Sequence, residues 1–353
     1  MLSTLILENF RCHGSLSYEG LGQRVCLMGA NGQGKTSILE SIFLLSRCRS
    51  FRTPRPKECA GWGRNYFGAS AVLVPSLDSP HRLKFEWDRA GRRLSYDGKE
   101  DMKWKDFWGI LQAVAVTNAD RVLIAGSGSY RRSWVDSIIA TRRSDYLLKS
   151  QQALLLQRQK NALMKHSQPD RRLWEALTEQ MRPVARVIAE AREGLTRGAG
   201  PMVERYYCHL TGQSEVLEFR YNGETGRRME KSNDELWWWE NQSRNAELSP
   251  HRDDWEVLLH GKSLRHFGSE GQQKSAALAM RLTEVDLEME ARPQGMVVLI
   301  DDALIDLDSG RRARFWKCLP ESAQLIYATT DDRQVRDGVE FTDRRDVVLT
   351  SGA

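Results

Sequence analysis

The run Gly29-Ala30-Asn31-Gly32-Gln33-Gly34-Lys35-Thr36, with Ser37 behind it, has the G-x-x-x-x-G-K-T spacing of a phosphate-binding loop. Its glycines let backbone N–H groups turn inward around an anion, Lys35 brings a mobile cation to the β- and γ-phosphates, and Thr36 offers a hydroxyl to Mg2+. A second group lies far along the chain: Ser269, Gly271 and Gln272 open a helical stretch, and a helix N-terminus with a hydroxyl and a close-approach glycine suits an anion. A third is the apolar run Met296-Val297-Val298-Leu299-Ile300, which ends in Asp301 and Asp302, a pattern that puts Asp301 on Mg2+ and Asp302 near an attacking water as catalytic carboxylate. Thr329 and Thr330 end a further apolar run with hydroxyls suited to sensing a γ-phosphate. Together these residues describe a site for ATP and Mg2+ in which Lys35 and Asp302 do the catalytic work.

The elements needed to hold them are legible. Arg24-Val25-Cys26-Leu27-Met28 reads as a buried strand, and Ile38, Leu39, Ile42 and Phe43 repeat at helical spacing, so strand, glycine loop and helix follow in the required order. Leu5-Ile6-Leu7 predicts another strand, with a turn at 18–22, and the stretch from Ala69 to Leu94 predicts a β-rich flank with a hairpin-type turn at Asp97-Gly98. Later strands are expected near 216–221 and 255–259, and a helix from Ser275 to Glu290. With 353 residues, two lobes are expected: a nucleotide lobe formed by 1–115 and 293–353, and a mainly helical lobe formed by 116–292.

Charge is mildly basic, 52 Lys and Arg against 47 Asp and Glu, too little to prove a nucleic-acid partner. Its distribution says more. Between Arg121 and Arg172 basic residues far outnumber Asp136, Asp145 and Asp170, which predicts a basic amphipathic helix, a break at 167–170 and a second helix from about Leu173 to Leu195. Such an arm is either a solvated face or a nucleic-acid contact. The arginines of Arg47-Cys48-Arg49-Ser50-Phe51-Arg52 likewise read as linker or as phosphate contacts, and Trp237-Trp238-Trp239 reads as a packing cluster before a base-stacking one. Six scattered cysteines suggest neither zinc site nor disulfide framework. With no run of 18 apolar residues and no signal-like N-terminus, the expectation is a soluble cytoplasmic protein without a membrane partner.

The phosphate loop, signature, Asp pair and terminal Thr strand, in this order, resemble the α/β P-loop NTPase head of the ABC and SMC-like class. Within it the chain is similar to the RecF family, bacterial recombination and gap-repair proteins. The resemblance rests on Asn9-Phe10-Arg11, the loop with Leu39-Glu40-Ser41-Ile42, Arg49-Ser50-Phe51-Arg52-Thr53, Tyr130-Arg131-Arg132 with Asp136, Pro250-His251-Arg252-Asp253-Asp254, Gly271-Gln272-Gln273-Lys274, Asp301-Asp302 with Leu307-Asp308, and Thr329-Thr330-Asp331. It implies ATP-dependent homodimers in which Ser269, Gly271 and Gln272 of one copy complete the nucleotide site of the other, with Asp308 also at that site. It implies binding to double-stranded and gapped single-stranded DNA, with Arg49, Arg52, Arg131 and Arg132 as candidate contacts. It further implies slow hydrolysis as a release switch, and work with RecR and RecO in loading RecA during gap repair and the SOS response. Ser249, Asn118 and an inserted Glu270 depart from the family pattern and bear on substrate preference and turnover. Rival readings are a transporter motor subunit, a long-armed SMC-type protein, for which 120–245 is too short and lacks heptads, and an inactive relative, against which Lys35, Thr36, Asp301 and Asp302 argue.

Overall fold

The computed structural model describes residues 1–74, 79–291, 295–330 and 341–347. They divide into one unit of Met1–Asp120, His209–Gly212 and Met280–Ala353, and another of Arg121–Cys208 and Gln213–Ala279. The strands in chain order are β1 (Leu2–Phe10), β2 (His13–Tyr18), β3 (Arg24–Met28), β4 (Phe67–Leu73), β5 (His81–Asp88), β6 (Gly91–Tyr96) and β7 (Gln112–Thr117). There follow β8 (Leu217–Asn222), β9 (Asp254–Leu259), β10 (Lys262–Ser263), β11 (Met296–Asp301), β12 (Gln324–Thr329) and β13 (Asp343–Asp346).

The first unit holds two sheets. One is parallel, in the order β13-β3-β12-β11-β7, and the other antiparallel, in the order β2-β1-β4-β5-β6. Strands covered on both faces read as unbroken apolar runs, which is why Met296–Ile300 is buried throughout. Between the sheets lies the helix Lys35–Arg47, whose Ile38, Leu39 and Ile42 share a core with Leu5, Phe67 and Phe85 on one side and Val25, Leu299 and Ile326 on the other. Gln324 joins the sheets as a surrogate strand: its amide accepts from Leu2 N at 2.8 Å and donates to the Leu2 and Gly22 carbonyls at 2.8 Å each. Asp97 and Gly98, at φ 48° and 78°, form the expected tight turn, with Tyr96 and Lys99 exchanging backbone bonds. Strand β2 has no strong apolar alternation to predict it; pairing with β1 forms it.

The division departs from the expected 115 and 292 boundaries. The C-terminal half of the helix Glu270–Ala291 groups with the first unit because Arg281 bonds Asp120 at 2.6 Å, and Glu288 meets Arg47 at 2.9 Å with both side chains buried.

In the second unit the expected basic helix is two helices, Gly128–Arg142 and Ser144–Met164, broken where Arg143 turns extended at φ −132°. The helix expected to end near Leu195 instead runs from Arg171 to Thr211, through Pro183 and Pro201. Its glycines and prolines favour termination, but Val203, Tyr207 and Leu210 are buried, and their packing overrides propensity. Trp237 packs edge-on to Trp174, whereas Trp238 is exposed. Inside this unit Glu240, fully buried, accepts from Lys160 Nζ at 2.9 Å, Trp174 Nε1 at 2.6 Å, and the backbone N–H groups of Glu247 at 2.9 Å and Leu248 at 3.1 Å. Burial pulls the Lys160 ammonium below its usual range, and Glu240 opposes that shift. Removing one partner of such a pair strands the other, so Glu240→Ala is expected to cost about 3–5 kcal/mol in chemical denaturation. Glu175→Ala, which breaks an exposed pair with Arg171, is expected to cost less than about 1 kcal/mol.

Candidate nucleotide-binding site

The loop Gly29–Thr36 leaves the C-terminal end of β3, and Asp301 closes β11, with β12 between them, so the carboxyl ends of three neighbouring parallel strands converge on one site. Gly32 and Gly34 hold φ of 82° and 87°, which a side chain would strain. At Gly34 a Cβ would also collide with the His13 ring and the Cys12 thiol. His13 Nε2 lies 3.1 Å from the Gly34 carbonyl and supports the loop from beneath. Gln33 accepts from Ala30 N–H at 2.8 Å, while Ala30, Asn31 and Gly32 face solvent and Ser37 is buried at the helix start. Lys35 is folded back: its ammonium donates to the Gly29 and Ala30 carbonyls at 2.7 and 3.0 Å.

Thr36 donates its hydroxyl to Asp301 Oδ1 at 2.9 Å, so the two expected Mg2+ groups are side by side. Asp302 follows at φ 50°, a left-handed conformation that a non-glycine residue adopts at a cost, and its buried Oδ1 has no hydrogen-bond partner among the described residues. Burial pushes both carboxyls upward, Asp301 to about 6, with the Asp302 charge adding to the shift and Thr36, Arg52 and Lys35 opposing it. Mg2+ is commonly held by one or two carboxylates, a hydroxyl and substrate phosphates, so Thr36 and Asp301 fit that ion and the orphaned Asp302 oxygen fits a water or hydroxyl donor. Among the described residues no cluster of three His, Cys, Asp or Glu side chains is placed to hold a metal ion alone. Asp308 caps the helix Ser309–Lys317 by accepting from Arg311 N–H at 2.9 Å. Thr330 is exposed one residue past the Thr329–Met28 pairing, level with Gly29; Asp331 lies outside the described residues.

Glu40, within the Leu39-Glu40-Ser41-Ile42 stretch, organises this region. Fully buried in the loop helix, it accepts from Arg11 Nε at 2.9 Å and Nη2 at 2.6 Å, from Ser50 Oγ, and from Arg52 Nη1 at 3.4 Å. The signal was an acid between Leu39 and Ser41 on an otherwise buried helix, since a buried carboxylate demands donors. Arg52 is half exposed and its charge is felt at Asp301, which ties it to the phosphate site. Arg49 lies over Trp108 at 6.0 Å.

In the second unit Ser269 and Gln272 form a reciprocal cap: Gln272 N–H donates to Ser269 Oγ at 3.2 Å, and Ser269 N–H to Gln272 Oε1 at 2.9 Å. Gly271 is exposed, and the Glu270 charge is met by Arg121. One expectation needs correction. Arg131 is buried, bonded to Asp254 at 2.8 and 2.9 Å and to the Leu123, Ile124 and Gly126 carbonyls, leaving no donor face for DNA. Arg132 is partly buried and donates to the Asp253 carbonyl at 2.7 Å. Both hold the Pro250–Asp254 segment in place, where Asp253 also receives Arg192 at 2.8 Å and Tyr221 at 2.7 Å.

The raised Asp301 carboxyl has a sign that can be checked. Below about pH 4 it is protonated in both folded and unfolded chains, between about 4 and 6 only the folded chain holds the proton, and above 6 the folded chain carries the full cost of a buried charge. Asp301→Asn, without nucleotide or metal, is therefore expected to raise Tm over the parent at pH 7.5, with the gap closing toward pH 5. Calorimetric scans at both pH values check it.

No protein-family model matches the chain. A structure of the recombination mediator protein RecF of the RecFOR pathway, as RecF-ATPrS, superposes with TM-score 0.87 at 23% identity over 99% of this chain and 96% of that one. An Smc head bound to the C-winged helix domain of ScpA gives 0.56 at 14% identity over 96% and 91%. These place the fold in the ABC-type ATPase head group. The DNA replication and repair protein RecF of Limosilactobacillus fermentum is 27% identical over 94% of this chain and 92% of its own length. That of Parasynechococcus marenigrum is 30% identical over 92% of each. With whole-length similarity, the ABC-type head and an intact phosphate loop agreeing, the chain belongs to the RecF family of DNA replication and repair proteins.

Proposed function

We propose that this chain is an ATP-switched, DNA-binding clamp with weak DNA-dependent ATPase activity. ATP draws two copies head to tail on gapped duplex DNA, and slow hydrolysis releases them. The observation that carries this reading is the Thr36–Asp301 bond beside the buried Asp302 oxygen, which has no partner among the described residues, with Lys35 in the adjoining loop. Thr36 and Asp301 would hold Mg2+, which would supply positive charge against the β- and γ-phosphates. Lys35 exchanges its loop carbonyls for phosphate oxygens, and the left-handed Gly32 and Gly34 give the loop backbone the freedom to turn N–H groups toward them. Asp302, whose carboxyl burial raises, acts in this reading as the base that orients the attacking water.

Ser269, Gly271 and Gln272 supply the second half of the site from another copy, and Asp308 and Thr330 border the γ-phosphate. The twofold symmetry of such a sandwich makes nucleotide part of the interface. Partners consistent with the family are RecO and RecR, with RecA loaded at the gap in recombinational repair and the SOS response, in the cytoplasm. Among the described residues no helix is long and apolar enough to cross a membrane. The transporter-motor alternative is not favoured, because the RecF relatives cover the chain almost end to end.

Light scattering with and without ATP, Mg2+ and a gapped duplex tests the reading. Wild type should pass from monomer to dimer, more completely with DNA. Lys35→Ala and Ser269→Arg should stay monomeric, while Asp302→Asn should dimerise yet lose at least about a hundredfold in turnover. Dimers of Lys35→Ala on DNA would break the coupling, and normal turnover by Asp302→Asn would remove that residue from catalysis.

A further inference from the structure

Trp62 is fully exposed, which for so large an apolar ring demands a reason. It sits at the tip of a stiff turn. Gly61 N–H donates to the Asn9 carbonyl at 2.7 Å, Arg64 N–H returns to Gly61 at 2.9 Å, Arg11 N–H bonds the Cys59 carbonyl at 2.8 Å, and Gly63 takes φ 72°. The ring is thus presented by backbone already fixed to the end of β1, so binding through it would order little chain. The segment that carries it is cationic in sequence: from Cys48 to Asn65 the charged residues are Arg49, Arg52, Arg55, Lys57 and Arg64 against Glu58 alone. Glu58 is occupied by the Thr53 hydroxyl and Arg55, and Arg55, Lys57 and Arg64 are exposed. The Arg64 side chain starts 3.4 Å from where a Gly61 Cβ would stand, and Gly61 leaves that approach open.

We propose that Trp62 is a base-stacking platform for the single-stranded part of a gapped DNA, with Arg55, Lys57 and Arg64 meeting its phosphates. An exposed indole beside cations fits a polyanion whose bases are free to leave the stack, and a blunt duplex offers no such face. This rests on the DNA-binding reading above and adds where the unpaired strand lies.

The test compares wild type, Trp62→Ala, Trp62→Phe and Arg64→Ala on three probes: a thymine-only single strand, a gapped duplex and a blunt duplex, with photo-crosslinking to 5-iodouracil in the strand. Trp62→Ala should keep its Tm and its affinity for blunt duplex, yet lose about fivefold to a hundredfold on the other two probes. Trp62→Phe should retain most of the affinity, Arg64→Ala should weaken binding to the single strand and the gapped duplex and flatten their salt dependence, and the crosslink should map to Trp62. Wild-type behaviour of Trp62→Ala on every probe, or an equal loss on all three, overturns the platform and leaves DNA binding standing. A wild type that binds none of the probes overturns the DNA reading itself, and the platform with it.

Discussion

A carboxylate taken out of water must be met by donors, and in the first unit the demand of Glu40 is what the nucleotide site is built around. It rides on the helix that the phosphate loop opens, and its partners arrive from two other places in the chain: Arg11 from the turn after β1, and Ser50 with Arg52 from the segment after the helix. One buried charge therefore fixes the helix, the corner of the antiparallel sheet and the arginine segment together. The loop inherits its position from that assembly, and His13, from the same corner, reaches the carbonyl of Gly34.

The second unit uses the same physics with different residues. Asp253 is buried and receives Arg192, Tyr221 and the Thr225 N–H, while Asp254 is held by Arg131. The Pro-His-Arg-Asp-Asp motif is thus an electrostatic clasp between strands β8 and β9 and the helices of its own unit. Its acids were recognisable as a family signature, but a signature does not say whether a residue touches ligand or holds the fold.

That distinction marks how much was legible. Local order was: the strand-loop-helix around Lys35, the Asp301–Asp302 strand end and the Asp97-Gly98 turn follow from short-range chemistry and occur as expected. What depended on distant partners was not. Arg131 reads as a free cation until Asp254 is placed beside it, more than a hundred residues on. The long helix reads as ending near its glycines until the burial of Val203, Tyr207 and Leu210 is known. Strand β2 carries little pattern of its own and exists because β1 offers an edge.

Lys35 carries one further consequence. By donating to the Gly29 and Ala30 carbonyls, it makes the loop its own internal ligand, and an entering phosphate must compete with the protein's backbone for that ammonium. Measured affinity is then the intrinsic affinity scaled by the fraction of loops already unlatched, a form of built-in self-competition. Any change that weakens the latch without touching the phosphate contacts raises affinity while adding no bond to the nucleotide.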